Sequence, residues 1–316
     1  MSEVYPVEFD APDIAPYKQG NSGVDYVTTF DSGQPGPHAM IQAVTHGNET
    51  CGAYAVDHLF RNEVRPKRGK LTLAFANVYA YQNFDPASPE DSRFVDEDYN
   101  RVWETEILDG PDRSIEVRRA KEMRPIIESA DLLLDIHSMG TFSTPLILCH
   151  GLEKERRFAR AVDYPEVVVC GSGHVKGRRM IEYAPFNDPG TEMTALLVEC
   201  GQHWAKTAAT VALDTSLHFL RAADVIEEGF FDTHVTVKQP PPQRMLEVTD
   251  GRNAETDDFQ WVRDFDGLEE FENAGTVVAR DGGKDVTTPH DNCILIMPRR
   301  VPVKGERVIR FAREVT

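Results

Sequence analysis

The chain has 316 residues, 41% of them hydrophobic, enough to bury a core and build one large domain with a smaller one beside it. Its 34 basic and 52 acidic residues leave a formal net charge of −18, which repels phosphate backbones and anionic lipid heads and argues against nucleic-acid or membrane-surface partners. Five widely spaced cysteines without a CxxC argue against a disulfide framework and a thiolate zinc site. An acidic N-terminus without an apolar core, and no apolar run of roughly eighteen residues, make the cytoplasm the expected compartment.

Residues 1–38 read as an arm rich in Gly, Pro and Asp, with one strand at Val24–Phe30. AMIQAVT (Ala39–Thr45) is a buried strand that stops at HGNE, and Thr50–Asn62 has helical spacing. LTLAFANV (Leu71–Val78) is a second strand, and the polar stretch Asn83–Trp103 is a long loop of the kind that usually carries function. A helix is expected at Ser114–Ser129, then strands at Leu132–Ser138, Leu146–Cys149, Glu166–Cys170 and Ala195–Cys200, with a last helix running through Leu220. Nearly all-apolar strands alternating with helices indicate an α/β fold whose mostly parallel sheet is covered on both faces. After about residue 228, and past a linker-like KQPPPQ (Lys238–Gln243), short β-branched runs at Met245–Val248, Thr276–Ala279, Cys293–Met297 and Arg307–Phe311 read as a small antiparallel β domain. The expected division is an arm (1–38), a catalytic domain (39–228) and a C-terminal β domain (229–316).

Polar residues interrupt these apolar strands at their carboxyl ends, where open α/β sheets bind ligands. His46 and Glu49 follow the first strand, His137 closes LLLDIHS, and Glu199 closes ALLVEC. Any one such histidine is more often a hydrogen-bonded structural residue, and any one such glutamate a solvated strand edge. Four of them converging on one side suffice for a catalytic zinc centre, in which two His and one Glu would hold the ion and leave a position for water. Glu199 then remains as general base. Gly47 and Asn48 let H-x-x-E turn so that both ends reach one ion. Manganese or cobalt would suit the same donors. Asp135 shares a strand face with His137, where it would orient an imidazole, anchor an Arg, or serve some other donor structurally.

Four motifs in order, THGNE (Thr45–Glu49), SRFVDEDYNRVW (Ser92–Trp103), LLLDIHS and VECG (Val198–Gly201), resemble the succinylglutamate desuccinylase/aspartoacylase family, a branch of the zinc carboxypeptidases. The resemblance covers roughly Met40 to Leu220. It implies a zinc-carboxypeptidase-like fold and one zinc per chain on His46, Glu49 and His137, with Glu199 as base and later acid. It also implies that Arg93 polarises the scissile carbonyl and that Asn100 and Arg101 grip the substrate carboxylate. The implied activity is removal of an acyl group from a small N-acylated carboxylate. The family's further substrate-binding Arg, about ten residues before the catalytic Glu, is missing from NDPGTEMTALLVE. Arg178 or Arg179 could replace it. The Tyr that aspartoacylase offers from its C-terminal domain is missing from VPVKGERVIRF.

A metallocarboxypeptidase acting on peptides and a silent metal-binding scaffold are the competing readings. CGSGH (Cys170–His174) is not G-x-S-x-G, so Ser172 is set aside as a nucleophile. Cys200 and His218 read as core residues, and His203 as a residue that could line the pocket. Whether the chain forms a homo-oligomer stays open, wrapping a neighbouring subunit being one role for Met1–Gly36.

Overall fold

The computed structural model describes residues 5–171 and 177–315. Its strands are β1 (Val27–Asp31), β2 (His38–Ala43), β3 (Lys70–Phe75), β4 (Leu132–Met139), β5 (Leu146–Cys149), β6 (Val167–Cys170), β7 (Thr194–Gln202), β8 (Arg244–Asn253), β9 (Gln260–Trp261), β10 (Glu270–Phe271), β11 (Val277–Asp281), β12 (Lys284–Thr287), β13 (Cys293–Ile296) and β14 (Arg307–Val315). Its helices are α1 (Thr50–Arg61), α2 (Val78–Tyr81), α3 (Thr105–Leu108), α4 (Ile115–Glu128), α5 (Glu153–Val162), α6 (Lys206–Ala222) and α7 (Glu228–His234).

The main sheet runs β1-β3-β2-β4-β7-β5-β6-β8-β14-β13-β10. Its centre is parallel (β3, β2, β4, β7), β5 and β6 are parallel to each other but antiparallel to β7, and the two edges are antiparallel. The α/β expectation therefore holds, with β8 pairing parallel to β6 so that the C-terminal strands extend the same sheet. A small second sheet, β12-β11-β9, stands apart.

Strand alternation sorts the core into two layers. Ile41, Leu134, Ile136, Leu196 and Val198 face α1, α5 and α6. Met40, Leu133, Ala195 and Leu197 face α4 and the loop that precedes it. Cys200 falls in the first layer, as its position after Glu199 predicts.

Several boundaries differ from those read in the sequence. β3 stops at Phe75 and Val78 begins a short helix, because Asn77 ends the apolar alternation. Residues 228–234 form α7 rather than the start of a β segment, since Phe231 packs into the helical layer. The described part of the arm packs on its own chain: Glu8 N–H donates to the Trp204 carbonyl (3.0 Å), and the Tyr17 hydroxyl donates to Asp57 (2.7 Å).

The loop Asn83–Trp103 is polar in sequence yet firmly held. Tyr99, Val102 and Trp103 are fully buried, with Trp103 packed between Tyr99 and Tyr183 at 5.6 Å ring separations. Glu116, in the first turn of α4, accepts the backbone N–H groups of Val95, Asp96 and Glu97 at 2.7, 3.1 and 3.3 Å. A buried carboxylate thus replaces water for three amides that no strand partner satisfies.

Candidate metal centre and active site

The alternation that sorts the core also aims the site. After Leu133, the same face of β4 presents Asp135 and then His137; after Ala195 and Leu197, the same face of β7 presents Glu199. β4 and β7 are parallel and in register, with His137 directly opposite Glu199. Just past β2, the chain turns through Val44, whose φ is +63°, and delivers His46 and Glu49 to the same sheet edge. The turn does not need left-handed backbone at Gly47. Glycine is required there for close approach, because a Cβ would meet the Ser92 carbonyl oxygen at 2.3 Å and the Ala80 carbonyl carbon at 2.4 Å.

His46, Glu49 and His137 are all buried, and each offers a ligand atom within 4.8 Å of the others. His46 Nδ1 lies 2.7 Å from Glu49 Oε1 and His137 Nδ1 lies 3.0 Å from Glu49 Oε2. The opposite ring nitrogens are already taken: His46 Nε2 faces Asp98 Oδ1 at 3.0 Å, and His137 Nε2 faces Asp135 Oδ2 at 2.8 Å. A carboxylate behind each imidazole fixes the ring and leaves both Nδ1 atoms for a shared cation, the usual arrangement behind a histidine–metal bond. Two imidazoles and one carboxylate are the donor set of a catalytic zinc site.

The electrostatics agree with that fit. Burial disfavours charge on His137, but Asp135 and Glu49 outweigh it and raise its pKa well above the usual value. Burial likewise disfavours charge on Glu49, and His46 and His137 overcome it, so its pKa falls. The cluster wants positive charge at its centre; a proton on Nδ1 supplies it until a cation takes its place. Asp98 is likewise held ionised against burial, by His46, Arg93 and Arg101.

Asp135 is itself anchored, its Oδ1 accepting from Thr45 Oγ1 (2.7 Å) and Gln42 Nε2 (3.2 Å). Asp135 therefore fills two of the roles raised for it, one oxygen orienting the His137 imidazole and the other serving Thr45 and Gln42. Asp135→Asn is expected to weaken metal retention about 10- to 100-fold with the fold kept, read by competition with a chelator. Unchanged affinity would assign Asp135 to Thr45 and Gln42 alone.

Glu199 stands differently. It is 9% exposed, and its Oε2 is buried with no hydrogen-bond partner among the described residues. Burial pushes its carboxyl up to about 8, against the pull of His137. It lines a cavity of about 1030 Å³ that the three clustered residues also line, so among the described residues it is an unpartnered carboxyl in the cavity wall beside them.

Residues 35–191 match the succinylglutamate desuccinylase/aspartoacylase catalytic domain. The chain belongs to the succinylglutamate desuccinylase/aspartoacylase family. Mouse aspartoacylase is 32% identical over 121 residues, which is 35% of this chain and 37% of that protein. The chain thus matches little more than a third of that relative's length. Two solved structures share the fold: a succinylglutamate desuccinylase/aspartoacylase from Rhodobacter sphaeroides (TM-score 0.67, 18% identity, 92% of this chain and 88% of that one) and a succinylglutamate desuccinylase from Vibrio cholerae (TM-score 0.66, 18% identity, 93% and 86%). Members of the family are deacylase hydrolases.

The other residues that the family resemblance singled out also reach the cavity. Arg93 abuts the cluster, with Nη1 3.5 Å from Glu49 Oε1 and Nη2 3.0 Å from His46 Nε2. Asn100 turns its carbonyl away to accept from Met180 N–H (2.8 Å), which leaves its amide 3.5 Å from His137 Nε2. Arg101 lines the cavity and donates to the backbone carbonyl of Asn100 at 2.6 Å. Arg179 is buried in the cavity wall, oriented by Glu182 at 2.9 Å, while its Nε has no partner among the described residues. Arg178 bridges to Val102 through its backbone and does not line the cavity, so Arg179 is the member of the pair that faces it.

His203 lines the cavity as expected, held by Ser138 Oγ at 2.8 Å, and burial lowers its pKa to about 4, keeping it neutral. His218 is a core residue bonded to the Val237 carbonyl. Ser172 and His174 lie outside the described residues. Sequence reasoning gave no role to Asp98, although it stands inside the SRFVDEDYNRVW motif, and it missed Arg307 and Arg310, which also line the cavity. No described helix is long and apolar enough to cross a membrane.

Proposed function

We propose that the chain is a zinc-dependent amidohydrolase that removes the acyl group from an N-acyl amino acid or a similar small carboxylated amide. The observation that carries this reading is the His46–Glu49–His137 cluster with an unpartnered Glu199 beside it. A divalent ion held by that cluster, one per chain, supplies the acidity that makes water nucleophilic and the positive charge that polarises an amide carbonyl. Glu199 takes the proton from the attacking water and returns it to the leaving nitrogen. With a divalent ion on His46, Glu49 and His137, the Glu199 carboxyl would titrate lower than burial alone sets it, which would favour its ionised form as the base. Arg93 donates toward the carbonyl oxygen as it gains negative charge. Asn100, Arg101 and Arg179 hold the carboxylate of the amine half, the guanidinium forks setting its orientation. Water addition and proton return balance: one amide becomes one carboxylate and one free amine.

Val248 and Arg307 on the C-terminal strands, with Met297 just past β13, close one side of the cavity, which favours a short substrate over a peptide. The test is a panel of acetyl- and succinyl-amino acids set against dipeptides. The account expects kcat/KM at least about tenfold higher for the acyl-amino acids; a preference for dipeptides would make the chain a carboxypeptidase.

A further inference from the structure

We propose that Arg307 and Arg310, on the last strand, form a second oxyanion subsite of the cavity, separate from Asn100, Arg101 and Arg179, that binds a carboxylate or phosphate on the amine half of the substrate. Assigning the anion to the amine half rests on the deacylase reading; the subsite itself does not.

Residues 307 and 310 differ by an odd number, so a regular strand would send them to opposite faces. Here the ladder between β14 and β8 slips: Arg307 is opposite Asn253, Ile309 opposite Arg252, and Arg310 opposite Gly251. Two residues of β14 thus stand against one step of β8, a β-bulge at Val308. Asn253 and Gly251 share a face, so the bulge turns both arginines to one side while Val308 and Ile309 enter the core. Bulges commonly re-aim side chains next to active sites. Gly251 completes the arrangement: a Cβ on it would lie 1.6 Å from Arg307 Nη1, so only glycine leaves that guanidinium its place.

Both arginines line the cavity, and among the described residues neither has a carboxylate partner. Arg307 Nε is buried and has no hydrogen-bond partner among the described residues. Other cavity arginines are neutralised, Arg113 by Glu97 and Arg299 by Glu306. Although the chain carries 52 acidic and 34 basic residues, no carboxylate among the described residues forms an ion pair or hydrogen bond with either arginine. Burial depresses the Arg310 pKa to about 10, Arg179, Arg307 and Arg101 add repulsion, and the attraction of Glu199 does not offset them. Arginine does not shed its proton to escape such a site, so the cost is relieved by an anion from outside. Arg179 and Arg101 are the proposed carboxylate holders, which puts the second anion on the same half of the substrate.

The test is calorimetry on the full zinc-loaded chain with glutamate, glutamine and O-phosphoserine as probes, alongside a separate deacylation assay. The inference expects glutamate or phosphoserine to bind at least about tenfold more tightly than glutamine, the tighter of the two naming the anion. It expects that ratio to fall to about threefold or less in the Arg307→Met/Arg310→Met variant. Arg310→Gln, which keeps length and hydrogen bonding, gives the same reading should the double variant fold poorly. Equal affinity for glutamate, glutamine and phosphoserine in the unmodified chain overturns the subsite, as does a ratio that survives both variants. Absent deacylation with the ratio intact would instead fail the amidohydrolase reading alone.

Discussion

Replacing Glu199 by Gln is expected to leave zinc content at one per chain and to lower kcat by about two decades or more. The substitution keeps the shape of the side chain and removes only its capacity to accept a proton. Glu199 takes no part in the bonds that tie His46, Glu49 and His137 together, so the cluster should load as before. The acidic limb of the pH–rate profile carries a second signature. A carboxylate base must be ionised, so kcat/KM rises with pH through the Glu199 pKa. That limb should vanish in the variant. Near-normal turnover in Glu199→Gln would remove this residue from the chemistry.

Loss of the ion is expected to be more severe. Exhaustive chelation, or His137→Ala, should bring deacylation down to background, at least about a thousandfold, and readdition of zinc should restore only the chelated parent. His137 lies between Glu49 and Asp135, and its removal leaves two buried carboxylates facing each other without the charge that holds them. His137→Ala is therefore also expected to lose the ion itself, as read by metal analysis after gel filtration. Because the ion replaces a proton on the imidazole, its retention should weaken as pH falls. Activity that survives complete metal removal would contradict the mechanism.

The central residues were legible because they break strong patterns. His137 and Glu199 stand at the polar ends of strands that are otherwise apolar, and strand periodicity alone places Asp135 on the same face as His137. His46 and Glu49 follow the same logic at the end of β2. Arg93, Asn100 and Arg101 were not legible from periodicity, since arginines on a polar loop ordinarily face water; the ordered family motif brought them in. That loop is rigid because of Trp103, Tyr99 and Glu116, and the last reads in sequence merely as a charge in the first turn of a helix. The pair Arg178 and Arg179 could not be separated until the backbone bridge to Val102 turned one of them aside. Arg310 was hidden for a different reason. Its direction depends on a one-residue bulge, and a bulge reverses the alternation on which strand reading relies.

The extension of the main sheet by β8 and β14 follows a similar logic. The KQPPPQ segment marks a break in composition, yet the strand after it pairs with β6. Register across such a break is set by edge complementarity between distant segments, which local sequence does not carry.

The most direct measurement is anomalous diffraction at the zinc edge from crystals of the zinc-loaded chain. The account predicts a single peak per chain, bounded by His46 Nδ1, His137 Nδ1 and the Glu49 carboxylate, with Glu199 adjacent but not ligating. A peak elsewhere, or none within reach of these three side chains, would contradict it.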